Sequence, residues 1–125
     1  MHIRRVVPNF QTSHLEESRE FYTGFLNFHV EMDLGWIVTF SSRMHPTAQL
    51  SILTADLTTP VHPDVTIGVD DVDALYAEAV RRGLPILYPI TDEPWGVRRF
   101  FVRDPNGRVI NLVTHSRTPV EHRTR

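Results

Sequence analysis

The feature that most constrains this chain is an internal echo. Gly24 and Gly83, Asp33 and Asp92, and Trp36 and Trp95 are each 59 residues apart, and the periodicity around them spells the same order of elements twice. In the first half, "IRRVVPNF" is rich in β-branched residues, and "TSHLEESREFYTGFL" places Leu15, Phe21, Tyr22 and Phe25 at helical spacing. The runs "FHVEMD", "WIVTFSS" and "AQLSILT" then read as an antiparallel meander. Ser13 is the expected side-chain cap of the helix and Gly24 its end. After a linker punctuated by Pro60 and Pro63, "DVTIGV" is a strand. "DDVDALYAEAVRRG" is a helix with acids at its start, arginines at its end and a closing glycine, matching the helix dipole. "PILYPI", "VRRFFV" and "RVINLV" complete the second set, the last two joined by "DPNG", with proline second and glycine fourth in a type I turn. The expected fold class is α+β: two βαβββ modules, residues 1–59 and 63–115, forming a curved, cup-like mixed sheet with helices on its outer face. Residues 116–125 are polar and aperiodic and read as a flexible C-terminal tail.

Composition narrows the function. The 125 residues carry a formal net charge of −2, which leaves no basic footprint for phosphate backbones, so nucleic acid is not an expected partner. The absence of cysteine removes thiolate metal sites, disulfides and thiol nucleophiles together. No run has the length of a signal peptide's apolar region or approaches the ~20 apolar residues that span a bilayer. The expectation is a soluble, cytoplasmic protein with no membrane partner. There is no glycine-rich phosphate loop, no serine elbow and no HExxH run.

"SHLEESREFYTGFLNF" resembles the strand-to-helix signature of the vicinal oxygen chelate superfamily, the glyoxalase, bleomycin-resistance and extradiol-dioxygenase group. "VDDVDALYAEAVRRG" with "EPWGVRRFFVRDPNGRVINLV" resembles its second half. The resemblance implies paired βαβββ modules curled into a cup, commonly in a dimer, with a divalent metal held by His and Glu on the inner strands. Its ligand positions fall on Val7, Asp64 and Asn111, with a further acid of some members near Ser51. Of these only Asp64 is a strong ligand. A displaced divalent metal set of His62, Asp64 and His115 is geometrically conceivable.

Strand alternation supplies the rest. Arg5, Val7 and Asn9 face the cup on the first strand, and Asp64, Thr66 and Gly68 on the fifth. Trp36, Val38 and Phe40 share a face on the third, and Gln49 and Ser51 on the fourth. In "RRFFVR", Phe101 is placed inward, while Arg99 and Arg103 read as solvated strand residues, with attraction of an anionic group as the alternative. Glu31 and Asp33 read either as an acid pair or as a hydrated edge. Asn111 sits in an apolar strand with Val109, Val113 and His115 on its face, and its amide must bond either a ligand, a neighbour or an ordered water. The tryptophans are either rim packing or a stacking platform. The favoured reading is a homodimeric, non-catalytic protein that sequesters an antibiotic-like or aromatic small molecule. Asn9, Gln49, Asp64 and Asn111 supply polarity to its site, and Trp36, Phe40, Trp95 and Phe101 supply area. The alternative is a metal-dependent lyase, isomerase or dioxygenase with an atypical ligand set.

Overall fold

The computed structural model describes residues 1–115; the expected tail, 116–125, lies outside the described residues. The chain runs β1 (Ile3–Gln11), α1 (Leu15–Glu20) passing directly into a π-helical turn (Phe21–Phe25), β2 (His29–Asp33), β3 (Ile37–Ser41) and β4 (Gln49–Leu53). It then repeats as β5 (Val65–Val69), α2 (Val72–Arg81), β6 (Ile86–Glu93), β7 (Val97–Arg103) and β8 (Val109–His115). All eight strands form one mixed sheet in the order β2-β3-β4-β1-β5-β8-β7-β6. The first strand of each set pairs parallel with the last, β1 with β4 and β5 with β8, and the halves join where β1 lies antiparallel to β5. The α+β reading with two βαβββ units is therefore correct.

The apolar core is split in two. Under α1, Val38, Phe40 and Ile52 are buried against Leu15, Tyr22 and Phe28, with the Tyr22 and Phe40 ring centroids 5.3 Å apart. Under α2, Val69, Val72, Ala79, Phe100 and Val102 form the matching cluster, with Tyr76 edge-on to Phe100 at 4.9 Å. Each fully buried aromatic contributes about 1.5–3 kcal/mol. Both clusters lie between helix and sheet, so the opposite face of the sheet is left to line the concavity.

Local chemistry sets the helix ends, partly against expectation. Asp71 caps α2, accepting from the Ala74 N–H at 3.0 Å. α1 has His14 at its N-cap position and no side-chain cap; Ser13 lies one residue too early, and the His14 N–H donates to Thr12 Oγ1 at 2.8 Å in the turn before the helix. Nor does Gly24 end the helix. The chain continues through it in the π-turn and reverses at Asn27, whose φ of 63° is the left-handed conformation an asparagine tolerates. The "DPNG" turn closes as expected, Gly107 N–H donating to the Asp104 carbonyl at 3.0 Å with φ 86° at the glycine.

Candidate functional site

The floor of the concavity is a polar row across three neighbouring strands. Thr66 of β5 stands opposite Asn111 of β8 in the parallel register, and its hydroxyl accepts from Asn9 Nδ2 at 2.9 Å and from Asn111 Nδ2 at 3.1 Å. This answers why an asparagine occupies an apolar strand: half of its amide is satisfied within the fold. Asn111 Oδ1 is buried and has no partner. Beside this row, Thr39 and Ser51 bond each other at 2.7 Å, and Gln49 Nε2 donates to the Pro46 carbonyl at 2.8 Å.

One wall is aromatic. Trp36 and Trp95 meet edge to face, centroids 5.8 Å apart at 70°, one from each repeat. Phe40 does not join them. β3 starts only at Ile37, after Gly35 turns with φ 88°, so Ile37 and Thr39 face the cavity while Val38 and Phe40 point to α1. Phe101 shares the face of Arg99 and Asn111 but is fully buried, packed against Tyr88 at 5.2 Å and beneath the Arg99 guanidinium at 5.1 Å, and does not reach the cavity surface.

Arg99 is the largest departure from the sequence reading, which placed it in solvent. It is 4 % exposed and forms two ion pairs, Nε to Glu93 at 2.7 Å and Nη2 to Asp56 at 2.9 Å, while Tyr88 donates its hydroxyl to the same Glu93 oxygen at 2.8 Å. Trp95 covers the guanidinium at 5.1 Å. Burial alone would raise the Asp56 carboxyl, but hydrogen bonds from Thr58 and Arg99 outweigh it and hold it below the usual carboxylate range. Arg103, by contrast, is exposed, as expected.

The cavity also has a second guanidinium. Arg5 on β1 lies across Gly68, where an added Cβ would meet its Cγ at 3.0 Å. Its Nη1 is 2.9 Å from His115 Nε2. Arginine only donates, so that nitrogen must carry the lone pair and the ring is neutral. Burial, then the Arg5 charge, pushes the His115 pKa down, although the residue as a whole is exposed. Arg5 Nε is buried without a partner. The cavity, open on one side, has a volume of about 320 Å³, within the ~300–1,000 Å³ typical of small-molecule pockets.

A divalent metal does not fit these residues. Val7 is a buried hydrocarbon, Ser51 is engaged by Thr39, and Asn111 offers a single neutral oxygen. Asp64, expected to face the cup as a ligand, precedes β5 and is not on the cavity wall; its Oδ2 accepts the Val109 N–H at 2.8 Å. Among the described residues no three His, Cys, Asp or Glu side chains are gathered as a metal-holding group, so His62, Asp64 and His115 do not come together as one. His62 Nε2 is buried without a partner, away from the cavity wall.

The glyoxalase/bleomycin resistance protein/dioxygenase superfamily model matches residues 2–112. The chain belongs to this superfamily. Among solved structures, a superfamily member from Vibrio splendidus 12B01 is similar at 18 % identity and TM-score 0.67, over 90 % of this chain and 99 % of that one. Methylmalonyl-CoA epimerase from Mycobacterium tuberculosis is similar at 16 % and TM-score 0.68, over 98 % and 91 %. A mutant of 4-hydroxymandelate synthase from Streptomyces coelicolor is similar at 13 % and TM-score 0.61, over 95 % of this chain and 50 % of that one. No curated protein sequence matches. At these identities the likeness is one of fold, and this superfamily member's chemistry must be argued from its own residues.

Proposed function

We propose that this chain binds and sequesters a planar, aromatic small molecule, without transforming it. The observation that carries this reading is the cavity itself: a tryptophan from each repeat stands over a floor of Asn9, Thr66 and Asn111, and the positions where the superfamily holds its metal carry Val7, Asp64 and Asn111. An engineered apolar cavity of ~150 Å³ admits benzene, so about 320 Å³ suits a fused or substituted ring. Stacking on indole adds ~0.5–1.5 kcal/mol beyond burial, and the unpartnered Asn111 Oδ1 favours a ligand with an N–H or O–H donor.

Quenching of tryptophan fluorescence across a panel of bicyclic aromatic compounds tests the reading. Saturable quenching by at least one, abolished in Trp36→Leu with Trp95→Leu followed by calorimetry, is expected. Elemental analysis and titration with Ni, Zn, Mn and Fe(II) test the opposite case, because tight binding of one ion per chain would overturn sequestration in favour of a metal-dependent enzyme. The reading includes a homodimer, since association would cover exposed Phe10, Phe21 and Phe25; sedimentation at a single-chain mass would remove that part.

A further inference from the structure

We propose that the Arg5 end of the cavity is an anion subsite, so that the ligand class is an aromatic carboxylic acid. The inference rests on the aromatic-cavity reading and adds the charge of the ligand to it. Its basis is the contrast between the two guanidiniums on the wall. Arg99 is more than compensated, its single charge facing both Glu93 and Asp56, and away from the cavity Arg19 pairs with Asp33, Arg81 and Arg82 with Glu78, and Arg98 with Asp73 and Asp92. Among the described residues Arg5 forms no ion pair, and unlike Arg4, Arg43, Arg103 and Arg108, which form none either but stand exposed in solvent, it is partly buried. Its one hydrogen bond goes to a neutral imidazole, and its Nε is buried with nothing to donate to. An unpaired charge in a shielded position is costly, and a fold that keeps one leaves the compensation to a ligand.

The surroundings are built to present this group. Gly68 provides the bare backbone against which the Arg5 stem lies. His115 fixes one end of the guanidinium, leaving the remaining donors of a planar fork that matches a carboxylate. Burial, then opposed by the charge of Glu31, holds the Arg5 pKa below its ordinary value. Glu31 is on the same wall, but its Oε1 accepts from Ser41 Oγ at 2.8 Å, and it makes no ion pair with Arg5. It is the internal competitor that an anionic ligand must displace electrostatically. Trp36 and Trp95 lie on the wall of the same cavity, so a ring and an acid group on one small molecule can engage both.

Calorimetric titration with 2-naphthoate and its neutral counterpart 2-naphthamide tests the assignment on the intact chain. The wild type is expected to bind the acid about tenfold or more tightly than the amide, as a charge-assisted hydrogen bond requires. Arg5→Gln should erase that preference, lowering acid affinity far more than amide affinity. Glu31→Gln should enlarge it, and Gly68→Ala, which keeps every charge but crowds the Arg5 stem, should reduce it; melting curves establish that each variant is folded. Equal affinity for acid and amide in the wild type, or a preference that survives in folded Arg5→Gln, overturns the subsite but not the aromatic cavity. If neither compound binds and the wider panel also fails to quench, both readings fall together.

Discussion

At the scale of single residues, Thr66 matters more to the floor than the asparagine that first draws attention. Its hydroxyl serves two amides, whereas Asn111 contributes one bond and leaves its own Oδ1 unsatisfied. Thr66→Val keeps the shape but strands two N–H donors, and each such orphan costs about 1–3 kcal/mol. Asn111→Leu breaks one bond yet also removes an orphaned oxygen. Urea unfolding should therefore find Thr66→Val destabilised by about 2 kcal/mol or more and Asn111→Leu within about 1 kcal/mol of wild type. The reverse order would mean that Asn111, not Thr66, anchors the row. His115 yields a second prediction. Because burial and Arg5 hold its pKa down in the folded chain, the unfolded state takes up the proton first on acidification. The stability it contributes is complete above the unfolded value of about 6.5 and is lost as pH falls from there through the folded value. Melting temperatures measured from about pH 8 to about pH 5 should fall further for wild type than for His115→Gln, and parallel curves would contradict the assignment.

At the scale of elements, the link between the connector after β4 and strand β7 is electrostatic. Asp56 and Glu93 flank Arg99 with side chains 2 % and 4 % exposed. Removing only the cation leaves two buried carboxylates facing each other, the situation that costs about 3–5 kcal/mol in comparable buried pairs. Arg99→Met should be destabilised by that amount in urea titration, and adding Glu93→Gln with Asp56→Asn should restore most of it. A mild effect of Arg99→Met alone would show that water reaches the cluster. None of this was legible in the sequence, because an arginine in a strand reads as solvated and its partner Asp56 is 43 residues away in a connector. Alternation did place Asn9, Gln49, Ser51, Thr66 and Asn111 on the cavity side, since each lies in a strand whose two faces differ in environment. It fails for Phe40 because Trp36 lies outside β3, beyond the Gly35 turn, and does not share the strand's alternation. Ser13 fails as a cap because the N-cap position falls one residue later, on His14, whose side chain makes no capping bond, while Thr12 takes the His14 N–H in a turn before the helix.

At the scale of the whole molecule, the 59-residue echo in the sequence corresponds to two cores and one shared cavity. Each core is local to its own helix, so contacts within the cores alone would allow the halves to melt separately. Three features oppose that. The β1–β5 ladder continues the sheet across the join through pairs such as Val6 with Ile67 and Val7 with Thr66. The Asn9–Thr66–Asn111 row crosses the same seam, and Asp64 is tied both to Asn9 and to Val109 by backbone bonds of 3.0 Å and 2.8 Å. The tryptophans report on this junction because their edge-to-face contact exists only while the halves are docked. Thermal or urea unfolding followed by tryptophan fluorescence should therefore coincide with unfolding followed by far-ultraviolet circular dichroism, in a single two-state transition. A ligand held in the seam should move both curves together, by about 2.7 kcal/mol at a hundred times its dissociation constant. Fluorescence that changed well before the dichroism would mean that the halves separate while each keeps its own helix and strands. The cavity would then be a property of a weak interface, and ligand occupancy would determine whether the two repeats stay together.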